Sequence, residues 1–221
     1  MSAAASRLGR LAAQTSGGGG AMEVYRAMET VQCQVCGAAS DDPAAATLPP
    51  PAEPQPELTA TAADLKRMLA VIEDEIVPKT QVCVTEGNKV FGAAVLDSSL
   101  ATVVADTNHE MESPLFHGEV YVMTRWAKET PAAQRGASAA DAVFLSTHEP
   151  CCMCMSSLVW AGFTKIFYFF PYEATTSQGI PYDVEIMQEL WRVPTYARRN
   201  KYCATAPIQE LIAVRFPSFA N

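Results

Sequence analysis

An α/β layered domain with parallel strand pairings is predicted for most of this 221-residue chain. Three observations carry that expectation. From about residue 59 onward, short apolar runs of strand character alternate with segments whose apolar residues recur every three to four positions, the order of strands joined by helices. Hydrophobic residues make up 49% of the chain, enough for one sizeable core, and the length favours one domain with an extension. The first 56 residues break the pattern. They are rich in Ala, Gly, Ser and Pro, so residues 1–56 read as a disordered N-terminal extension and residues 57–221 as the folded domain.

The extension carries Arg7 and Arg10 and no acid before Glu23, the composition of an organelle transit peptide, with an ordinary disordered tail as the competing reading. Cys33 and Cys36 form a lone CxxC without a second pair and read as linker. Residues 22–31 could form only a short, marginal helix. The seven cysteines, an odd number partly at metal spacing, point to a reducing compartment and not to a disulfide framework. The expected location is the cytoplasm, or a mitochondrion or plastid if the extension is a transit peptide, without secretion. No apolar run approaches the length of a membrane span. A net charge of −8 lacks the basic footprint of a nucleic-acid binder.

Order is expected from Thr59. Leu65, Met68, Leu69, Ile72 and Ile76 give a helix behind a threonine-rich cap, ended by Pro78. Residues 90–96 and 101–105 read as paired strands around the turn Asp97, Ser98, Ser99. A polar loop with Asn108 and His109 follows. Ser113 and Pro114 have the chemistry of a helix start, which places His117 and Glu119 in the first turn; Val120, Met123 and Ala127 continue the buried face. Pro131 stops this helix before a loop around Gly136. Residues 142–146 form a strand, Glu149 and Pro150 open a helix closed by Gly162, and residues 165–170 form another strand. A long loop through Tyr172, Gly179 and Pro181 leads to a helix at 184–191. Ile208, Leu211 and Ile212 after Pro207 suggest a short helix, with a closing strand as the alternative.

The chemistry lies in His117-Gly118-Glu119 and Pro150-Cys151-Cys152-Met153-Cys154. One imidazole and two thiolates suit zinc and leave one position of a tetrahedron for water, while Glu119 stands beside that water without being needed as a ligand. This pairing is the signature of zinc nucleobase deaminases. A structural site closed by Cys152 competes with it, but adjacent cysteines on a helix rarely reach one metal together. Cys152, Met153 and Trp160 read as core filling, and His109 and His148 as loop and supporting residues.

At these residues the chain resembles the cytidine and deoxycytidylate deaminase superfamily, above all the branch of guanine deaminases, yeast-type cytosine deaminases and tRNA adenosine deaminases. HGE resembles the cytosine deaminase variant, and EPCCMC followed by Trp160-Ala161-Gly162 resembles the guanine deaminase pattern. The resemblance implies a three-layer fold whose central mixed sheet has about five strands, the last two parallel, and a homodimer. It implies Zn2+ bound by His117, Cys151 and Cys154, Glu119 as proton shuttle and Asn108 as a substrate-binding residue. The implied reaction is hydrolytic deamination of a guanine-, cytosine- or cytidine-type nucleobase or nucleoside. The alternative is a tRNA adenosine deaminase or its non-catalytic zinc-binding partner, for which Arg198, Arg199 and Lys201 would be the local phosphate contacts. Cys152, in place of a proline or small residue, and the loop over 171–183 depart from the family patterns and leave the substrate open.

Overall fold

A computed structural model describes residues 52–215. The extension up to residue 51, with its predicted disorder, transit-peptide composition, short helix and Cys33–Cys36 pair, lies outside these residues. The chain is anchored as early as Gln55, whose N–H donates to the Asn200 carbonyl at 2.8 Å. Helix α1 (Ala62–Ala70) begins as its threonines predict. Thr61 accepts from the Asp64 N–H while its own N–H donates to the Asp64 carboxylate, a reciprocal cap.

Pro78 does not end this helix. The chain widens into a π-helical segment (Val71–Ile76) and continues as α2 (Val77–Thr85), with Pro78 in the first turn. A proline there needs no N–H partner, and the wider turn, closed by Val77 N–H on the Ile72 carbonyl, absorbs the mismatch.

Strands β1 (Gly92–Leu96) and β2 (Thr102–Thr107) form the predicted antiparallel pair. In their turn the Asp97 carboxylate accepts from Ser99 and Ala101 N–H groups. Helix α3 (Gly118–Glu129) starts later than Ser113 and Pro114 suggest. His109 N–H donates to Phe116, and Glu112 and Ser113 N–H groups return to the His109 carbonyl, so the segment is spent on a closed loop and His117 becomes the cap position. The predicted loop around Gly136 is instead helix α4 (Arg135–Asp141), which buries Ala139. Strand β3 (Val143–His148), helix α5 (Cys152–Ala161) and strand β4 (Lys165–Phe170) follow in the predicted order. Gly162 closes α5 at φ 93°, a left-handed turn that a side chain would strain.

The long loop after β4 contains helix α6 (Tyr172–Ser177) before α7 (Tyr182–Trp191). Both readings of the tail hold, since strand β5 (Ala204–Pro207) runs directly into helix α8 (Ile208–Arg215). The five strands form one mixed sheet in the order β2-β1-β3-β4-β5, antiparallel in its first half and parallel from β3 to β5.

Strand alternation divides the core into two layers. Ala93, Val95, Phe144 and Ile166 face α3, α4 and α5 through Val122, Trp126, Ala139 and Leu158. Ala94, Leu96, Leu145 and Phe167 face the other side, against Leu65, Met68, Ile76 and Ile208. Buried on both faces, β1 and β3 hold the ends of α3 and α5 against one another at the sheet edge that carries the chemistry. Trp160 is not core: it is 91% exposed. On α5 the buried side chains are Cys154, Met155 and Leu158. At about 100° per residue Trp160 lies about 190° round from the middle of the face formed by these three, on the opposite side of the helix. Among the described residues no helix is long and apolar enough to cross a membrane.

Candidate metal centre

His117 and Cys151 occupy the cap positions of α3 and α5, each with extended backbone, and Cys154 follows within the first turn of α5. Two helix N-termini, with their partial positive charge, thus meet at one point. Gly118 makes the approach possible: a Cβ there would sit 2.7 Å from the Phe91 carbonyl oxygen at the entrance to β1. Thr147 braces the same junction, its hydroxyl bonded to both the N–H and the carbonyl of Gly92.

The ligand atoms of His117, Cys151 and Cys154 lie within 4.8 Å of one another. His117 Nδ1 is 3.6 Å from Cys151 Sγ and 3.7 Å from Cys154 Sγ. Zinc bonds of ordinary length at a tetrahedral angle would separate nitrogen from sulfur by about 3.6 Å, so the donor set fits that ion in spacing as well as in chemistry. Among the described residues this is the one group of three or more His, Cys, Asp and Glu side chains that could hold a metal ion. Without metal the Cys151 thiol is pulled below its ordinary value by a hydrogen bond from Cys154 and by His117, while Cys154 is pushed up. A cation would release both protons.

Glu119 is buried beside this cluster. Its Oε2 is 3.3 Å from Cys154 Sγ and its Oε1 accepts from the Ser146 hydroxyl at 3.0 Å. Burial, with the Cys151 charge adding, pushes its carboxyl up to about 7, where it can both take and give a proton near neutrality. Ser146 was visible in the sequence only as a polar residue at the end of an apolar strand.

Asn108 is placed one link away. Its amide donates to Glu110 Oε2 at 2.8 Å and its carbonyl oxygen accepts the Lys89 N–H at 3.2 Å. Glu110 in turn stands 3.6 Å from His117 Nε2 and pairs with the Lys89 ammonium at 2.9 Å. His148 packs between Phe91 and Phe170, and burial holds its imidazole down to about 4, so it stays neutral. His109 stacks on Tyr121. Neither joins the cluster.

His117 and Cys151 open onto a cavity of about 460 Å³ walled by Phe91, Ile180, Ile186 and Trp191. Cys152 and Met153 line it and are only partly buried, a correction to their reading as core. Sequence reasoning missed Asp183, which faces the same cavity with its carboxyl pushed up to about 6 by burial and by Cys151. No local pattern marks it, because α6 and α7 bring it over the metal ligands only in the fold. Three cavities of similar size, about 520 Å³ beside Trp160, about 490 Å³ beside His148 and about 480 Å³ beside His109, hold no comparable cluster.

Residues 74–170 match the family model described as the cytidine and deoxycytidylate deaminase zinc-binding region. The match takes in the stretch from Asp74 to Phe170 and so both motifs of the cluster. The matched stretch runs from the π segment to β4 and contains His117, Cys151 and Cys154, and zinc is the cofactor that the matched family and the donor set share. No curated protein sequence matches the chain. Among solved structures it is similar to a guanine deaminase from Bacillus subtilis, at 23% identity over 63% of this chain and 85% of that one, with a TM-score of 0.45. It is also similar to a tRNA:A34 deaminase (14% identity, 59% and 92% covered, TM-score 0.38). A third is the dCMP deaminase of the cyanophage S-TIM5 (15% identity, 66% and 100% covered, TM-score 0.38).

Proposed function

We propose that residues 57–221 form a zinc-dependent hydrolytic deaminase of a free nucleobase, with guanine and cytosine as leading substrates and cytidine-type nucleosides behind them. The observation that carries this reading is the closure of His117, Cys151 and Cys154 on one point beside Glu119. Zinc held by these three groups would supply a water of pKa about 7 as nucleophile. Glu119 is placed to accept the proton that this water loses. It would pass that proton to the ring nitrogen as the water oxygen bonds to the amino-bearing carbon, then take the second proton from that oxygen and give it to the amino group, so that the carbon becomes a carbonyl as the C–N bond breaks and ammonia leaves. Ser146 holds one oxygen of Glu119, leaving the other for proton transfer. Phe91, Ile180, Ile186 and Trp191 give the cavity apolar walls suited to the faces of a ring.

Asp183 supports the choice of a free base. A carboxylate in the cavity lining can accept a ring N–H, which cytosine keeps at the position where cytidine carries its sugar. Asn108 contributes from behind, through Glu110 and Lys89. The cluster of Arg198, Arg199 and Lys201 gives RNA little support: Arg198 is engaged with Glu149 and Glu210, and Arg199 with the Gln55 carbonyl. The thiolate ligands favour a reducing compartment, cytoplasmic or organellar. A homodimer is part of the reading, carried over from the family resemblance.

The test is ammonia release by the zinc-loaded full chain from guanine, cytosine, cytidine and guanosine. Release from a free base is expected. No release from any of them, with conversion of adenosine to inosine in tRNA, would give the reaction to RNA, and inactivity on both would leave a non-catalytic zinc subunit.

A further inference from the structure

We infer that Glu149 positions the Cys151 side of the metal centre, an inference that rests on the zinc reading above. The residue lies two positions before Cys151, and its side chain is 1% exposed. Neither the metal cluster nor the cavity wall includes it. Its Oε1 accepts from the Tyr168 hydroxyl at 2.9 Å and the Tyr196 hydroxyl at 2.8 Å, with Arg198 Nε at 3.6 Å. Its Oε2 accepts the Tyr172 backbone N–H at 3.0 Å. The backbone is tied as firmly: Glu149 N–H donates to the Phe170 carbonyl at 2.7 Å, and the Pro150 carbonyl accepts from the Tyr172 hydroxyl at 2.7 Å.

Both residues between β3 and Cys151 are therefore held from outside, by β4, by the start of α6 and by the stretch before β5. The Pro150 carbonyl belongs to the peptide that leads into Cys151, so the Tyr172 hydroxyl bears on the backbone that aims its sulfur. A buried carboxylate is costly unless donors surround it, and this one has three hydrogen-bond donors and a guanidinium. Its placement accounts for that cost, because metal ligands need supports that fix their orientation. Tyr172 also opens the segment that carries Asp183, so one carboxylate ties the ligand loop to the cavity wall.

Glu149 is a positioning residue, acting through Cys151. The test compares zinc-loaded full-length wild type with Glu149→Gln, Tyr172→Phe, Tyr196→Phe and, as a control, Arg67→Ala, which removes bonds to Leu100 and Thr102 away from the metal. Zinc affinity is read by chelator competition, and the cobalt-substituted proteins give a visible spectrum sensitive to thiolate geometry. Glu149→Gln should weaken zinc roughly 10–100-fold and shift the cobalt–thiolate bands. Tyr172→Phe, which frees the Pro150 carbonyl but keeps the N–H that Glu149 accepts, should do the same to a smaller degree, and Tyr196→Phe, which removes a donor from Glu149 itself, decides the matter if Glu149→Gln does not fold. Arg67→Ala should lower Tm and leave affinity and spectrum as in wild type. Variants at Glu149, Tyr172 and Tyr196 that lose only Tm would overturn the inference alone. A wild type that takes up no zinc would overturn the zinc reading, and this inference with it.

Discussion

The two sides of the cavity are built differently. On the ligand side, His117, Glu119, Cys151 and Cys154 sit in two short motifs at two helix starts, and the sheet needs only to bring those ends together. On the opposite side, Ile180, Asp183, Ile186 and Trp191 come from α6, α7 and the turn between them, in a stretch without a motif. The candidate ligands are encoded locally, whereas the cavity wall that shares their pocket is assembled only by the fold.

The sharpest break is Glu119→Ala. It should cut turnover by about 10³-fold or more while zinc stays near one per chain, as a proton carrier that is not a ligand requires; metal analysis beside kinetics checks both. Loss of zinc together with activity would make Glu119 part of the ligand set. Beneath both sides, Phe144→Ala should cost about 3–5 kcal/mol in chemical denaturation, because the ring is fully buried between β1, β4 and Phe163.

His148 adds a pH dependence to the same stability. Its imidazole protonates near 6.5 when unfolded and only near about 4 in the fold, so the unfolded chain binds the extra proton between those values. Its contribution is complete above the unfolded pKa, is lost as pH falls towards about 4, and amounts to at most about 3 kcal/mol. Replacement by Phe should flatten that slope in urea midpoints measured across the window.

On the wall side, Asp183→Asn should raise KM for a free base by roughly 10–100-fold, the order of one lost charged hydrogen bond, with little change for the nucleoside. An equal loss for both would remove Asp183 from selection. The smallest effect separates two tryptophans: Trp191→Ala should raise KM a few-fold, whereas Trp160→Ala, on the far face of α5, should leave kinetics unchanged and stability within about 0.5 kcal/mol.

The same division governs what the sequence reveals. Ligand spacing within one helical turn is a local property, so His117, Cys151, Cys154 and the adjacent Glu119 stand out as a group. Strand alternation around Ala93–Ala94 and Phe144–Leu145 likewise exposes the layered core. Pro78 misleads because a π turn accommodates it, and Ser113 because its loop spends its N–H groups on His109. Trp160 looks apolar enough for the core, yet its angular position on α5 excludes it. Asp183 could not be found at all: its meaning depends on two helices folding back over residues thirty positions earlier.

Zinc K-edge absorption on the zinc-loaded full chain tests the central claim most directly, that three protein ligands hold the ion and one position stays open to solvent. Two sulfur neighbours at about 2.3 Å and two nitrogen or oxygen neighbours at about 2.0–2.1 Å are predicted. A third sulfur would close the site and contradict the account.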